Sequence, residues 1–246
     1  MAKSASAEIR LLQDQVALIT GSTRGIGLAI AQALAAQGCN LALTGRDEPA
    51  LRRVSRELAS AKIKILAHPC DVRDPQSIDD LFRATRRQFK RLDILINNAG
   101  IAHTNLTVDK LPLPLWKDVI ETNLTGTFLV TQAALAIMKR GGTIVNNLSI
   151  VATRVFAGSA AYIASKHGAL GFTNTLREEL RGKGIRVIAL MPGATNTDIW
   201  NSFWPEAPRK KMMSPATIAA AVVNAILLPP NSTVETLEIL PTAGLL

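Results

Sequence analysis

The sequence predicts a doubly wound α/β domain, in which helices cover both faces of one parallel sheet. Short apolar segments at 16–20, 41–44 and 93–96 alternate with segments of helical periodicity, as is typical of strands buried on both faces. A glycine-rich turn directly follows the first of these segments. No repeat, linker or low-complexity segment divides the 246 residues. We therefore expect one α/β domain over residues 1–246.

The same patterns place the individual elements. Strands are expected at 16–20, 41–44, 63–67, 93–96, 143–148, 186–190 and 236–240, and helices at 28–36, 48–59, 74–89, 115–139, 160–181 and 215–228. Gly38 is a helix stop, and Asp74-Pro75 is a typical helix start. Residues 1–14 are small and polar, so we expect a flexible lead-in.

Composition limits the class of protein. The chain has 28 Lys and Arg against 19 Asp and Glu, a net charge of +9, which suits nucleic acid, an acidic protein or a phosphorylated cofactor. The densest basic run, 83–91, falls on one predicted helix face, so we expect no nucleic-acid partner. Two cysteines without metal spacing predict neither a disulfide framework nor a metal site. The longest apolar stretch, 216–228, is too short for a bilayer, which predicts a cytoplasmic protein without a membrane partner.

Ser149, Tyr162 and Lys166 are the candidate catalytic residues. Tyr162 and Lys166 are four apart on a predicted helix, so they project from one face with Cβ atoms roughly 5–6 Å apart. An ammonium beside a phenol favours the phenolate and lowers its pKa from about 10. Ser149 closes the apolar run 142–148, and a strand ending there brings its hydroxyl beside the helix start. The alternative is an ordinary solvated helix pair.

The glycine loop is the candidate cofactor site. Gly21, Gly25 and Gly27 lie between the first strand and its helix, where a pyrophosphate meets a helix amino terminus. At the end of the second strand, Asp or Glu is typical for a free ribose 2′-hydroxyl and Arg for a 2′-phosphate. This chain has Arg46 there and Arg24 in the loop, which favours NADP(H). Neighbouring Asp47 is interpreted as a helix cap.

These residues resemble the short-chain dehydrogenase/reductase family, and the similarity covers residues 15–240. The matching elements, in the family's order, are Thr20-Gly-x-x-x-Gly-Ile-Gly27, Asp71-Val72, Asn97-Asn98-Ala99-Gly100, Asn123, Ser149, Tyr162-x-x-x-Lys166 and Pro192-Gly193. Each element alone is weak; a turn or a strand break explains several of them separately. The resemblance implies a single Rossmann-type domain.

The resemblance also implies roles at these positions. Tyr162 is implied as the proton donor in reduction, with Ser149 hydrogen-bonded to the substrate carbonyl and Lys166 lowering the pKa of Tyr162. Asn123 is implied to hold a water linked to Lys166. The implied contacts of NADP(H) are Gly21, Ser22, Thr23, Arg24, Gly25, Ile26, Gly27, Arg46, Asp71, Val72, Asn98, Ala99, Gly100, Tyr162, Lys166, Pro192, Gly193, Thr195 and Thr197. Of the two threonines, the family pattern favours Thr197.

Residues 194–213 form the expected substrate loop or lid. Trp200, Phe203 and Trp204 are candidate apolar substrate contacts, and His103 is a candidate for the mouth of the site. The basic run 209–211 could meet a carboxylate or an acidic carrier. A subunit contact or an ordinary exposed loop explains either feature equally well.

The predicted function is an NADP(H)-dependent oxidoreductase that interconverts a ketone or aldehyde and an alcohol. Candidates within it are a 3-oxoacyl reductase, with an acyl-carrier-protein or coenzyme A substrate, and a 3-hydroxy acid dehydrogenase. The segment Val234 to Pro241 lacks the glycine-rich turn usual in carrier-protein reductases, which argues against a dedicated carrier-protein substrate. The alternative is a non-catalytic dinucleotide sensor or nucleic-acid binder. The resemblance implies a homotetramer, or a dimer, through helices 115–139 and 160–181.

Overall fold

Seven parallel strands form one sheet in a computed structural model that describes residues 11–59 and 62–244. The strands are β1 Val16–Thr20, β2 Asn40–Gly45, β3 Ile65–Pro69, β4 Leu92–Asn97, β5 Met138–Asn147, β6 Arg186–Pro192 and β7 Thr236–Ile239. Their order across the sheet is β3-β2-β1-β4-β5-β6-β7. The prediction of a doubly wound α/β fold is confirmed. Most of the lead-in, residues 1–10, lies outside the described residues.

The helices connect successive strands. They are α1 Gly25–Ala36, α2 Glu48–Leu58, α3 Pro75–Phe89, α4 Leu113–Ile120, α5 Gly126–Leu135, α6 Ala160–Arg181, α7 Ile199–Phe203 and α8 Pro215–Ile226. The chain moves outward in one direction from β1 to β3 and in the other from β4 to β7. The strand order therefore reverses between β1 and β4, and ligands of such sheets bind in the crevice at this point.

Successive side chains of β1 point to opposite faces of the sheet, so the core has two layers, one on each face. Ala17 and Ile19 pack into one cluster, which also contains Ile30 of α1 and Val222 of α8. Val16 and Leu18 face the other cluster, which includes residues of α3, α5 and α6. Because successive strand side chains point to opposite faces, an apolar strand needs a helical cover on each side.

The helix predicted at 115–139 is interrupted. A π-helical turn, Glu121–Thr125, separates α4 from α5, which ends at Leu135. β5 then begins at Met138, five residues before the predicted start, and pairs there with Leu92. Helical periodicity hides a single π turn because the segments on both sides remain helical. The short helix α7 inside the loop 194–213 was not predicted from the sequence.

Within the described residues, no helix has both the length and the apolar character needed to cross a membrane.

Candidate active site

A cleft of about 1430 Å³ opens at the carboxyl ends of the central strands. Residues that follow β1, β2, β4, β5 and β6 line it, and the loop 194–206 forms one wall. Among the predicted site residues, those that line it are Gly21, Thr23, Arg24, Gly25, Ile26, Arg46, Asp71, Val72, Asn98, Ala99, Gly100, Ser149, Tyr162, Lys166, Pro192, Gly193, Thr195, Thr197, Trp200, Phe203 and Trp204. The fold thus brings together residues that are far apart in sequence.

The glycine loop is shaped by steric limits. Gly21 and Gly25 have positive φ angles of 63° and 56°, a conformation that side chains disfavour. A Cβ on Gly27 would lie 2.3 Å from the Gly21 carbonyl oxygen. The buried Ser22 hydroxyl donates to the Thr44 carbonyl at 3.2 Å. Ser22 and Gly27 therefore hold the loop in shape. Neither of them is among the described residues that line the cleft.

Thr20 ties this loop to the end of β4, a role that the sequence analysis did not assign. Its hydroxyl oxygen accepts from the backbone N–H groups of Asn98 and Ala99, both at 2.9 Å. The Asn98 side chain donates to the carbonyls of Thr20 and Gly21 at 2.9 and 3.0 Å. The sequence signal for this role was Thr20 itself, a polar residue at the end of the otherwise apolar strand β1. Asn98 thus acts on the cofactor loop as well as lining the cleft.

Tyr162 and Lys166 lie on α6, one turn apart, as predicted. The Nζ of Lys166 is 5.7 Å from the centroid of the Tyr162 ring. It donates to the carbonyl oxygen of Asn147, at the end of β5, at 2.9 Å. Ser149 follows that strand and accepts from the N–H of Val151 at 3.3 Å. Strand β5 and helix α6 therefore position all three candidate catalytic residues at one end of the cleft.

The acidity of Tyr162 differs from the expectation. Burial raises the pKa of the phenol to about 12, and a hydrogen bond with Ser149 opposes this shift only in part. The net lowering of this pKa that was expected from the neighbouring Lys166 does not occur, because desolvation outweighs the effects that favour the phenolate. Burial also lowers the pKa of Lys166 to about 8. At neutral pH the phenol is protonated and the lysine is largely charged, which suits proton donation.

Asn123 lies in the π turn, buried beneath the cleft. Its side chain accepts from the N–H of Ile101 at 2.8 Å and donates to the carbonyl of Ile101 at 2.9 Å. It also donates to the Ser165 hydroxyl at 3.0 Å. Single π turns inside α-helices are often found at functional sites. Asn123 thus joins the segment after β4 to α6; its role in holding a water stays a prediction.

The far end of the cleft is basic. Arg46 and Arg53 line it, together with Asp47 and Asp71, whereas the Arg24 side chain lies 3.7 Å from Asp198, just before α7. Asp47 accepts from the N–H of Ala50 at 3.0 Å, so it caps α2 as interpreted from the sequence. A hydrogen bond from Arg73 holds the pKa of Asp71 below its usual range, and the charge of Arg46 adds to this. Both carboxylates are therefore engaged by the protein.

The two candidate threonines after β6 differ in exposure to the cleft. Thr195 is buried, and its hydroxyl donates to the Gly193 carbonyl at 3.0 Å. Thr197 faces the glycine loop, because a Cβ on Gly25 would lie 3.2 Å from its methyl group. Thr197 is therefore the better placed of the two for a ligand on the loop; its contact with the cofactor stays a prediction.

Aromatic side chains connect the lid with the catalytic end. Phe203 of α7 lies against Tyr162, with ring centroids 6.4 Å apart, and Trp200 packs edge-on to Phe203 at 5.6 Å. The indole N–H of Trp200 donates to the Thr195 carbonyl at 2.8 Å. Trp204 is partly exposed at the mouth. An apolar wall thus covers the site of the candidate proton donor.

His103 does not fit its predicted place at the mouth. Its side chain is buried, with Nδ1 2.6 Å from the carbonyl oxygen of Thr104. The cleft is lined by the residues on both sides of it, Ala102 and Thr104, and not by His103. The reason is that the chain turns this side chain inward, which sequence spacing does not indicate.

A family model of short chain dehydrogenases matches residues 15–208. The chain belongs to the short chain dehydrogenase family. This membership agrees with the order of the glycine loop, Ser149, Tyr162 and Lys166 along the chain. It makes the protein an oxidoreductase and does not support the alternative of a non-catalytic binder.

Individual relatives extend the comparison. A putative ketoacyl reductase of Streptomyces coelicolor is 36% identical over 254 residues, which cover 94% of this chain and 96% of the relative. A 3-oxoacyl-acyl-carrier-protein reductase of Aquifex aeolicus is 37% identical over 86% of this chain and 90% of its own. An alcohol dehydrogenase from Thermococcus sibiricus, solved with 5-hydroxy-NADP, has a TM-score of 0.86 and 31% identity, covering 93% of this chain and 97% of its own. The short chain dehydrogenase fold thus extends across nearly the whole chain.

Proposed function

We propose that the protein is an NADP(H)-dependent oxidoreductase that reduces a ketone or aldehyde to an alcohol, or catalyses the reverse. The observation that carries this proposal is the placement of Ser149, Tyr162 and Lys166 at one end of a cleft whose other end is lined by arginines. NADP(H) has the matching polarity, with the reactive nicotinamide at one end, the 2′-phosphate of the adenosine ribose at the other and the pyrophosphate between them.

The chain's own residues account for proton transfer and orientation. The nicotinamide, when bound, supplies the hydride. The phenol of Tyr162 donates the proton to the carbonyl oxygen. Burial raises its pKa to about 12, so it stays protonated well above neutral pH. The hydroxyl of Ser149 orients that oxygen and stabilises its developing negative charge. The charged Lys166 beside the Tyr162 ring favours the phenolate that proton donation leaves behind.

The preference for NADP(H) over NAD(H) follows from charge. Arg46 follows β2 at the far end of the cleft and Arg24 lies on the cofactor loop, whereas Asp47 is used as the helix cap. A ribose 2′-hydroxyl is typically bound by a free carboxylate at this position, and a 2′-phosphate by arginine. The NADP analogue in the Thermococcus sibiricus enzyme supports the same choice.

The substrate is proposed to have an apolar portion. Phe156, Phe203 and Trp204 line the substrate end of the cleft, and the first and last of these are exposed. The names of the relatives support a 3-oxoacyl compound. Arg177 is buried and donates to the carbonyls of Val187 and Glu235 at 3.1 and 2.7 Å, so this side chain is not available to bind an acidic carrier protein.

We further propose a cytoplasmic homotetramer, or a dimer, that forms through α5 and α6. Phe128 of α5 is 43% exposed and packs edge-on against Phe172 of α6, with centroids 6.0 Å apart. An aromatic pair that spans two helices and leaves one ring exposed is a feature that suits an interface. Sedimentation of the wild type and of Phe128→Glu would test this, and a monomeric wild type would refute it.

The proposed activity is tested by following oxidation of NADPH and NADH in parallel. Suitable substrates are an acetoacetyl thioester, a 3-keto acid ester, a vicinal diketone and an aromatic aldehyde. We expect turnover with NADPH well above NADH. Equal use of NADH would contradict the assignment of Arg24 and Arg46 to a 2′-phosphate. No turnover despite tight NADPH binding would contradict the proposed substrate range.

A further inference from the structure

We propose that Arg53, on the second turn of α2, is a phosphate-binding residue that sets the preference for NADP(H) over NAD(H). This inference rests on the proposed function, because it concerns the 2′-phosphate of the same cofactor. The resemblance to the family and the spacing of motifs indicated only Arg24 and Arg46. The placement of Arg53 in the cleft comes from the structure alone.

The first argument is the face of α2 that Arg53 occupies. Ala50 and Arg53 are three residues apart, so they share one helix face, and both line the cleft. Arg46, directly after β2, lines the same cleft. The cleft is therefore bordered by two guanidinium groups with the small side chain of Ala50 between them in sequence.

The second argument is selectivity among the arginines of the same helix. Arg52, Arg53 and Arg56 all belong to α2, but only Arg53 of these three lines the cleft. Arg52 pairs with Glu48 at 2.6 Å, and Arg56 donates to the carbonyl of Arg52 at 3.3 Å. Of these three arginines, Arg53 is therefore the one placed to contact a ligand in the cleft.

The third argument is that Arg53 is free to rearrange. Its ion pair with Glu57 spans 3.6 Å, and the two side chains are 63% and 55% exposed. Exposed pairs of this kind contribute little, so a doubly charged phosphate can displace Glu57 easily. A guanidinium offers five N–H donors in a fixed geometry that matches phosphate oxygens.

The surrounding charge also favours an anion. The cleft carboxylates nearest in sequence are Asp47, which caps α2, and Asp71, which pairs with Arg73 at 2.7 Å. The amino terminus of α2 adds a partial positive charge at the same end of the helix. A 2′-phosphate would thus meet two guanidinium groups and a helix terminus, while a 2′-hydroxyl would have no use for Arg53.

The test compares adenosine 2′,5′-bisphosphate with adenosine 5′-monophosphate, which differ only in the 2′-phosphate. Binding is measured by isothermal titration calorimetry on the wild type, Arg53→Gln, and the matched control Arg52→Gln, which removes the same charge one residue away. We expect Arg53→Gln to weaken the bisphosphate about tenfold, the usual value of one charged hydrogen bond. The monophosphate should be unchanged, and Arg52→Gln should leave both ligands unchanged. Arg53→Lys, which keeps the charge, should recover part of the loss.

Each other result overturns the proposal in a recognisable way. An equal loss for both ligands would mean that Arg53 contacts the adenosine. An equal loss in Arg52→Gln would mean a general charge effect, and no loss in Arg53→Gln would mean no contact. If the wild type itself does not prefer the bisphosphate, the NADP(H) assignment fails, which separates that failure from the failure of Arg53 alone.

Discussion

The ammonium group of Lys166 donates to the carbonyl oxygen of Asn147 at 2.9 Å, which ties α6 to the end of β5. This contact holds the lysine beneath the ring of Tyr162, 5.7 Å from its centroid. Burial at this position lowers the pKa of Lys166 to about 8. The same geometry therefore places the Lys166 ammonium beside Tyr162 and brings its pKa close to neutral pH.

The first prediction is that carbonyl reduction declines as the pH rises through about 8, because Lys166 then loses the charge that favours the phenolate of Tyr162. The measurement is the pH profile of kcat/KM with NADPH. Lys166→Arg, which stays charged, should move this decline to higher pH wherever it remains active. A profile unchanged in that variant would show that another group titrates.

The lysine also makes a prediction for stability. Its pKa is lower in the folded protein, about 8, than in the unfolded chain, about 10.4. Between these values the unfolded state binds more protons, so the contribution of Lys166 to the free energy of unfolding rises with pH. Below pH 8 this gain is absent. Denaturant titrations of the wild type and Lys166→Met between pH 7 and 10 should differ by this slope; parallel curves would contradict the lowered pKa.

The second prediction separates proton donation from cofactor binding. Tyr162→Phe removes the phenol hydroxyl but keeps the ring that packs against Phe203, so NADPH affinity should stay close to that of the wild type. Turnover should fall by about 10²–10⁴-fold, the range for loss of a general acid. Ser149→Ala should lose about 10²–10³-fold, as for one oxyanion donor. A fully active Tyr162→Phe would refute the mechanism.

The sheet and the central site could be predicted from the sequence because local patterns encode them. The apolar run 16–20 follows from periodicity, and helical spacing puts Tyr162 and Lys166 on one face of a helix. Their catalytic role was implied by the resemblance to the family. The π turn at Glu121–Thr125 could not be predicted, since it depends on Asn123 bonding to Ile101, a tertiary contact. The raised pKa of Tyr162 likewise depends on burial, which spacing does not indicate.

The lid illustrates the same limit. Its aromatic residues could be recognised in the sequence. The sequence also offered Arg209, within the basic run 209–211, as a contact for a carboxylate or an acidic carrier. In the structure Arg209 donates to the Thr197 carbonyl at 2.6 Å and to the Asn201 side chain at 2.7 Å. It therefore holds the segment that carries α7. Such a role depends on how the loop folds back on itself, which composition does not reveal.

The third prediction concerns this contact. Arg209→Gln should loosen the lid and raise KM for both NADPH and the carbonyl substrate, because Thr197 and Phe203 lie on the segment that Arg209 holds. We expect an increase of about tenfold, because only part of the free energy of the two lost charged hydrogen bonds is expressed in ligand binding. Lys210→Gln is the matched control, as it removes the same charge from an exposed neighbour that does not line the cleft.

Limited proteolysis gives this prediction a second measurement. The lid of Arg209→Gln should be cleaved faster than that of Lys210→Gln when both are treated at equal concentration, because local opening exposes the backbone. Equal cleavage and equal KM in the two variants would mean that Arg209 is dispensable for lid closure.

The last prediction tests the packing of the cofactor loop. A Cβ on Gly27 would lie 2.3 Å from the carbonyl oxygen of Gly21 and 2.4 Å from the side-chain amide of Asn98. Gly27→Ala should therefore push α1 away from the loop, lower the free energy of unfolding by about 1–3 kcal/mol, and weaken NADPH binding. Gly182→Ala is the control, because nothing lies within 4 Å of a Cβ there, and it should change stability by less than about 0.5 kcal/mol. Denaturant unfolding and NADPH titration measure both quantities. If Gly27→Ala behaved like the control, the close approach of α1 to the loop would be refuted.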